Sequence, residues 1–397
     1  MKVPFYRHQL SGGDAQAIVS VLESPILTSG QVGRDVEARL ASYFDVPFAF
    51  LVNSWTNGAA ACLLAMDIGP GDEVIVPAMT FIASANVVEL VGARPVFVDV
   101  DPETLMLTPE AVAAAVTPRT RAVMPVHLYG QMADVAGLRR AVGPAIRIIE
   151  DCAHSFEAIR DGARPGAHSD AALFSFYATK NVTCGEGGAL VTRDPALAEA
   201  FKVTRLHGMS AGAIDRYRGS VYNHWDMLRL GMKANLPDLL AALLPAQLDV
   251  VEDKRLQRVR LADRYLAAFA NNPAIRLQAR VPGAVHAWHL FAICVAPDLR
   301  DPLMLALNAA GIGCAVNFRS VPTMTYYREK YGYRASDFPV SELWGSGVIS
   351  LPMFPGLSDA EQDYVIAVVL RELATSTKGA DEGILNSSER IAEYNSA

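Results

Sequence analysis

The sequence predicts an α/β protein whose large domain holds a mostly parallel, seven-stranded sheet, followed by a smaller α/β domain. Short apolar runs alternate with helical segments through residues 45–206. Most of these runs are continuously apolar, as strands buried on both faces of a parallel sheet are. The chain has 397 residues, 51% of them hydrophobic, so it has the length of two or three domains and can bury a large core.

The predicted elements of the large domain follow in chain order. Strands are expected at residues 48–53, 73–77, 95–100, 122–126, 146–150, 172–176 and 189–192. Helices are expected at 57–66, 81–91, 109–116 and 134–142. Ligands of such sheets bind beyond the carboxyl ends of the strands, where Ser54, Thr80 and Asp151 stand.

The second half of the chain is less regular. Residues 207–236 are rich in glycine and aromatic residues and lack periodicity, which predicts a long functional loop. A helix is predicted from about 237 to 270, because Pro237 suits a first helical turn. Strands are expected at 289–295 and 313–318. The predicted division is a large domain (1–248), a small domain (249–375) and a loosely held polar tail (376–397).

Charge and composition exclude several classes of function. The net charge of −7 and the lack of a basic run argue against a nucleic-acid partner. No apolar stretch reaches membrane-spanning length without Pro, Gly or a charge, and the N-terminus lacks the apolar core of a signal peptide. The five cysteines have no CxxC spacing, which indicates reduced thiols. A cytoplasmic protein with no membrane partner and no metal site is therefore expected.

Lys180 is the most informative residue for function. It follows the predicted strand at 172–176 and precedes the glycine-rich run Gly185–Gly188, and the earlier strand at 146–150 leads into Asp151. A lysine amine can bond the aldehyde of pyridoxal 5′-phosphate (PLP), while an aspartate keeps the pyridine nitrogen protonated. A lone lysine after a buried strand is usually an ordinary surface residue, so this interpretation depends on the residues around it.

Other strand ends carry residues that suit the same cofactor. Trp55 and Thr56 lie at a strand-to-helix turn, where free backbone N–H groups can bind a phosphate, although an ordinary helix cap is the simpler alternative. Phe81 could stack on the cofactor ring or belong to the core. Ser175 could donate a hydrogen bond to the phosphate.

Two further candidates have equally plain alternatives. His154 could lie near the phenolic oxygen of the cofactor or be a structural histidine. Asn235 could reach a phosphate across a dimer interface, or simply be a turn residue before Pro237. No single residue decides the function, but together the candidates have the order and spacing of a cofactor site.

The chain resembles the DegT/DnrJ/EryC1/StrS family of PLP-dependent sugar aminotransferases from about Pro4 to about residue 372. The most specific matches are Glu150–His154, Phe174–Lys180 with Gly185–Gly188, and Lys233–Asp238. Segments similar to the branch that makes UDP-4-amino-4-deoxy-L-arabinose are His286–Phe291, Asn317–Arg319, Tyr326–Glu329 and Ser350–Pro355.

The resemblance implies a fold type I aminotransferase (EC 2.6.1.-), usually a homodimer with shared active sites. Its catalytic residues would be Lys180, Asp151 and His154. Its cofactor-binding residues would be Trp55, Thr56, Phe81, Asp151, Ser175 and Lys180, with Asn235 supplied by the partner subunit. Family members that dehydrate have histidine in place of the lysine, so Lys180 implies transamination.

The implied reaction moves an amino group from glutamate, which leaves as 2-oxoglutarate, to the keto carbon of a nucleotide-linked keto-deoxy sugar, with C4 favoured. Two departures bear on this. Trp55 replaces a usual Gly or Ala, which predicts different packing beside the phosphate, and Pro322 replaces a usual His of the arabinose branch. The alternatives are another keto sugar, a keto-cyclitol, or a non-catalytic relative that senses PLP or a sugar.

Overall fold

The computed structural model describes residues 1–210 and 224–375. Its main sheet has seven strands in the order β1-β7-β6-β5-β4-β2-β3. They are β1 (Phe48–Val52), β2 (Glu73–Pro77), β3 (Arg94–Val98), β4 (Thr120–Val123), β5 (Arg147–Asp151), β6 (Ala171–Ser175) and β7 (Gly188–Thr192). Only β7 runs antiparallel to its neighbours, β1 and β6. The predicted fold class is confirmed, and the predicted strand ends differ by a few residues.

Helices cover both faces of this sheet. They are α1 (Gly12–Leu22), α2 (Gln31–Tyr43), α3 (Trp55–Ala65), α4 (Ala83–Leu90), α5 (Pro109–Ala115), α6 (Val135–Val142) and α7 (Pro195–Thr204). One core, which includes Leu63 and Phe201, packs α3, α4 and α7 on one face. A second core, which includes Leu40 and Phe174, packs α2 on the other. Burial on both faces explains why the strands are apolar along their whole length.

The single long helix predicted from 237 to 270 is wrong. The chain instead forms α8 (Asp238–Ala241), α9 (Pro245–Asp249) and α10 (Val251–Phe269). Pro245 has no N–H to continue a helix, so it starts a new one. The carboxylate of Asp238 also accepts hydrogen bonds from the backbone N–H groups of Gly30 (2.9 Å) and Gly33 (3.1 Å), which ties α8 to the start of α2.

A second, antiparallel sheet has the order β10-β9-β8. Its strands are β8 (Arg276–Leu277), β9 (Phe291–Cys294) and β10 (Val348–Leu351), with α11 (Pro297–Ala309), α12 (Thr325–Tyr331), α13 (Pro339–Gly347) and a last helix at residues 359–375. The strand predicted at 289–295 is confirmed as β9. Strands β8 and β10 were not predicted from the sequence.

The strand predicted at 313–318 is wrong. This segment makes only one isolated bridge to β10, between Ala315 and Ser350. Its other backbone groups have different partners: the N–H of Gly313 bonds the carbonyl of Val3 at 2.8 Å, and the carbonyl of Asn317 accepts from the Tyr129 hydroxyl. The segment therefore connects the N-terminus and the residues after β4 instead of extending a sheet.

Part of the predicted loop, residues 211–223, lies outside the described residues. The whole predicted tail, residues 376–397, lies outside them as well. The rest of the loop is irregular, and a Cβ added to Gly208 would lie 1.7 Å from the carbonyl oxygen of Arg229, so that position needs glycine. Among the helices of the described residues, none combines the length and apolarity of a membrane span.

Removing one partner of the buried ion pair between Arg258 of α10 and Glu157 is expected to destabilise the fold strongly. Both side chains are almost fully buried. Arg258→Met would leave the Glu157 carboxylate buried without its cation, which costs about 3–5 kcal/mol. Thermal unfolding should show a clearly lowered midpoint. Arg260→Met is the matched control on the same helix, because the Arg260–Asp359 pair is exposed and its loss should matter far less. Similar midpoints for the two variants would contradict this assignment.

Candidate active site

A cavity of about 530 Å³ lies at the carboxyl ends of β1, β2, β5 and β6. The predicted site residues that line it are Trp55, Thr56, Phe81, Asp151, His154, Ser175 and Lys180. Asn235 is the only predicted site residue that does not. Sequence reasoning therefore selected residues that the fold brings to one place, although their strands are far apart along the chain.

Lys180 projects from a tight turn after β6. The backbone N–H of Lys180 donates to the carbonyl of Tyr177 at 2.9 Å. After the turn, the backbone N–H of Cys184 donates to the carbonyl of Phe176 at 3.0 Å. Glycine is required at Gly188, where an added Cβ would lie 2.5 Å from the carbonyl oxygen of Phe174. Burial lowers the pKa of the Lys180 amine to about 8, although the negative charge of Asp151 opposes the shift. Roughly a tenth of the amine is therefore unprotonated, and nucleophilic, at pH 7, far more than for an ordinary lysine.

Asp151 is a buried carboxylate at the end of β5. It accepts hydrogen bonds from the Ser84 hydroxyl (2.8 Å) and from the N–H of Ala153 (3.1 Å), both neutral groups. Ser84 has only one hydrogen to donate, so the hydroxyl of Thr80, 2.9 Å away, donates to Ser84 in turn. Burial raises the pKa of Asp151, while these hydrogen bonds and the charge of Lys180 oppose the increase. A cation bound beside Asp151 would stabilise its ionised form.

His154 lies in the wall of the cavity. Its Nδ1 accepts a hydrogen bond from the N–H of Tyr129 at 3.2 Å, and its ring stacks on Phe318 at 5.7 Å. Burial, with the nearby positive charge of Lys180, holds the pKa of His154 well below its usual range. The imidazole is therefore neutral at physiological pH.

The end of the cavity at the start of α3 suits a phosphate. Ser54 caps α3 by accepting from the N–H of Asn57 at 3.1 Å, and the next backbone N–H groups, of Trp55 and Thr56, have no partner within the helix. Ser175 accepts from the N–H of Tyr177 at 3.3 Å, so its own hydrogen is free to donate.

The large side chain of Trp55 is accommodated in the core. Its indole N–H donates to the carbonyl of Leu173 at 3.2 Å, and the side chain is buried in the core beneath α3. The indole is thus unable to bind a phosphate, and only the backbone of Trp55 remains for that role. Phe81, in contrast, is 54% exposed and lies 5.7 Å from the ring of Phe318, so it is not a core residue.

Asn235 lies near the end of β1, outside the cavity lining. Its backbone bridges Val52, and its Nδ2 donates to the Ser29 hydroxyl at 2.8 Å. Its Oδ1 is buried without a hydrogen-bond partner.

Several residues of the cavity were missed by sequence reasoning. Ser84 orients Asp151, and the Thr80–Ser84 spacing of one helical turn was the available signal. Asn317 and Phe318 reach the cavity from the segment wrongly predicted as a strand. His289 also lines it, and its only sequence signal was its place in a matched segment.

The low pKa of Lys180 can be tested by competitive labelling with an acylating reagent over a pH series. The labelling rate of Lys180, measured by peptide mass spectrometry, should rise with a midpoint near pH 8. In Asp151→Asn the midpoint should move to lower pH, because the lost negative charge no longer stabilises the ammonium. Exposed Lys202 is the internal reference in each sample. A Lys180 midpoint near the ordinary value of 10.5, or no shift in the variant, would contradict this description.

Comparison with known proteins agrees with this site. The model of the DegT/DnrJ/EryC1/StrS aminotransferase family matches residues 9–370. The putative sugar aminotransferase Spr1654 from Streptococcus pneumoniae, in its PMP form, is similar with a TM-score of 0.87 and 28% identity, covering 94% of this chain and 99% of that one. DesV from S. venezuelae, solved with a ketimine intermediate, has a TM-score of 0.85 and 35% identity, and the match covers 93% of this chain and 97% of that one. A DegT/DnrJ/EryC1/StrS aminotransferase from Brucella abortus has a TM-score of 0.81 and 32% identity, and the match covers 90% of this chain and 94% of that one.

The donor set of the cavity fits PLP. An amine of lowered pKa faces the cavity, a buried carboxylate with only neutral hydrogen-bond donors lies beside it, and a helix N-terminus with a free hydroxyl forms the phosphate end. Spr1654 has been solved in PLP and PMP forms. The chain therefore belongs to the DegT/DnrJ/EryC1/StrS aminotransferase family, as its sequence predicted, and is a PLP-dependent aminotransferase.

Proposed function

We propose that this enzyme transfers an amino group from glutamate to the keto carbon of a nucleotide-linked keto-deoxy sugar, with C4 as the position aminated. The observation that carries the proposal is Lys180, an amine of lowered pKa, in the same cavity as buried Asp151. The family and its sugar aminotransferases support the sugar. The similarity of residues 286–291 and 350–355 to the arabinose branch supports the nucleotide and C4. The proposed location is the cytoplasm.

Each residue of the site has a proposed task. Asp151 would hold the pyridine nitrogen of PLP, Phe81 would cover its ring, and the Trp55–Thr56 backbone with Ser175 would bind its phosphate. His154 would donate to the phenolic oxygen. When bound, PLP supplies an aldehyde that accepts the amino group and a ring that withdraws electrons.

Lys180 has two tasks in this proposal. Its neutral amine would hold the cofactor covalently in the resting enzyme and would become free once the amino donor has bound. The freed amine then takes a proton from the carbon of the amino donor and later delivers one to the sugar carbon. An amine whose pKa lies near the working pH suits both directions of proton transfer, and burial gives Lys180 that value.

We further propose a homodimer in which Asn235 of one subunit completes the site of the other. The supporting observation is the position of Asn235 outside its own cavity, and its amide N–H group is the kind of donor that a phosphate in the partner's site needs. Mixing two inactive variants, Lys180→Ala and Asn235→Asp, and allowing subunits to exchange should restore activity. In the mixed dimer, one of the two sites has both natural residues. If Lys180 and Asn235 act within one subunit, no mixture will recover activity.

The reaction itself is tested by its two halves. Purified enzyme with PLP should convert glutamate to 2-oxoglutarate in single turnover, and the amino-charged enzyme should then aminate one member of a panel of nucleotide-linked 4-keto sugars. Product amine position is read by NMR. Amination of a keto-cyclitol or a free keto sugar, with none of the nucleotide sugars converted, would overturn the proposed substrate class.

A further inference from the structure

His289 stands beside His154 on the cavity wall and has no role in the reaction as described above. The two ring centroids are 4.4 Å apart. Burial, then the positive charge of Lys180, holds the pKa of His289 well below its usual range, as for His154. The cavity wall therefore presents two neutral imidazoles, and what each can bind depends on which nitrogen carries the proton.

The proton of His289 is fixed by its neighbours. Asn181 uses its Nδ2 to donate to the Glu157 carboxylate at 2.9 Å and to the carbonyl of Ala287 at 3.2 Å. These two acceptors set the orientation of the amide, so its Oδ1 faces Nδ1 of His289 at 3.1 Å. An amide oxygen only accepts, so Nδ1 of His289 carries the hydrogen. Glu157 is held in turn by its buried ion pair with Arg258.

His154 has the opposite tautomer. Its Nδ1 accepts from the N–H of Tyr129, so its hydrogen is on Nε2. Within residues 1–210 and 224–375, the Nε2 atom of neither histidine has a protein hydrogen-bond partner, and both residues line the cavity. The wall therefore offers one fixed donor, on His154, and one fixed acceptor, on His289.

We propose that Nε2 of His289 accepts a hydrogen bond from a hydroxyl group of the amino acceptor, so that His289 recognises the hydroxylated keto substrate. The inference deepens the proposed function and rests on it. The phosphate of PLP and the carboxylates of glutamate carry only acceptor atoms and would be repelled by the Nε2 lone pair. A sugar hydroxyl is a neutral donor that can share this wall with Lys180. Asn181, Glu157 and Arg258 act as positioning residues that fix the tautomer.

The tautomer is testable without cofactor or substrate. In the apoprotein labelled with ¹⁵N-histidine, NMR should show the Nδ1–H form for His289, identified by its loss in His289→Asn, and the Nε2–H form for His154. Asn181→Ala should release His289 into a mixture of tautomers while leaving His154 unchanged. An Nε2–H form of His289 in the natural protein would overturn the proposal, since that atom would then donate.

The recognition role is tested with two matched variants. His289→Asn keeps a group at the position of Nδ1 and leaves the position of Nε2 empty, whereas His289→Gln can place an amide oxygen there. In His289→Asn, kcat/KM for the keto sugar should fall by roughly 10- to 100-fold, far more than the rate of the glutamate half-reaction, because a hydroxyl loses its partner. His289→Gln should recover part of the loss.

The possible outcomes distinguish a failure of the proposed role of His289 from a failure of the proposed function. Equal losses in both half-reactions would mean that His289 serves Lys180 instead, and an unimpaired His289→Asn would mean that it has no role. Both overturn the proposal. Failure of the proposed function would appear differently, as natural enzyme that completes the glutamate half-reaction but aminates no sugar.

Discussion

Replacing Lys180 with alanine is expected to reduce turnover below detection, a loss of roughly 10⁴-fold or more. The variant loses both the amine that bonds the cofactor and the base that moves the proton between carbons. The phosphate end of the cavity, formed by α3 and Ser175, does not depend on Lys180. Cofactor should therefore still bind without a covalent bond. The measurement is production of 2-oxoglutarate from glutamate and a nucleotide-linked keto sugar.

Two controls show whether the loss is chemical. Lys180→Arg keeps a positive charge beside Asp151 but has no amine of comparable reactivity, so it should be as inactive as the alanine variant. Lys202→Ala removes an exposed lysine from α7 and should retain activity. Substantial activity in purified, contaminant-free Lys180→Ala would remove Lys180 from the mechanism.

Asp151→Asn is expected to lower the rate of the glutamate half-reaction by roughly 10²–10³-fold. Asparagine has the same shape but carries no charge. Its amide oxygen can accept from the N–H of Ala153, and its Nδ2 can donate to the Ser84 hydroxyl, which then donates to Thr80. The pyridine nitrogen then loses the anion that keeps it protonated, and the ring withdraws electrons less strongly. Single-turnover absorbance with excess glutamate measures this step without the sugar.

Ser84→Ala is the matched control for Asp151. It removes the 2.8 Å hydrogen bond to the carboxylate but leaves the charge in place. Its rate should fall much less than that of Asp151→Asn. If the two variants lost activity equally, geometry and not charge would be the contribution of Asp151, and an Asp151→Asn enzyme as fast as the natural one would give Asp151 no role.

The large sheet could be predicted from sequence because its strands are buried on both faces and read as continuous apolar runs. The candidate residues could be found because the carboxyl ends of parallel strands meet at one edge, so that Asp151 at the end of β5 and Ser175 at the end of β6 necessarily converge. The helix cap and the tight turn at these strand ends are formed by residues adjacent in the chain, so a single sequence can reveal them.

The features that the sequence did not predict depend on contacts between distant segments. Pro245 was a local signal for the break between α8 and α9, but it lay in a run apolar enough to suggest one helix. The segment at 313–318 has a strand-like sequence, yet its backbone groups bond the N-terminus and Tyr129 instead. The packing of the Trp55 indole against Leu173, and the partnership of Asn181 with His289, likewise join residues more than a hundred positions apart.

The central claim is that Lys180 is the lysine that bonds the cofactor, and one experiment tests it most directly. Enzyme reconstituted with PLP is reduced with borohydride, digested, and examined by peptide mass spectrometry, with a second sample treated with glutamate before reduction. We expect the reduced cofactor on Lys180 in the first sample and its loss from the protein in the second. A label on another lysine, or no label after full reconstitution, would contradict the account.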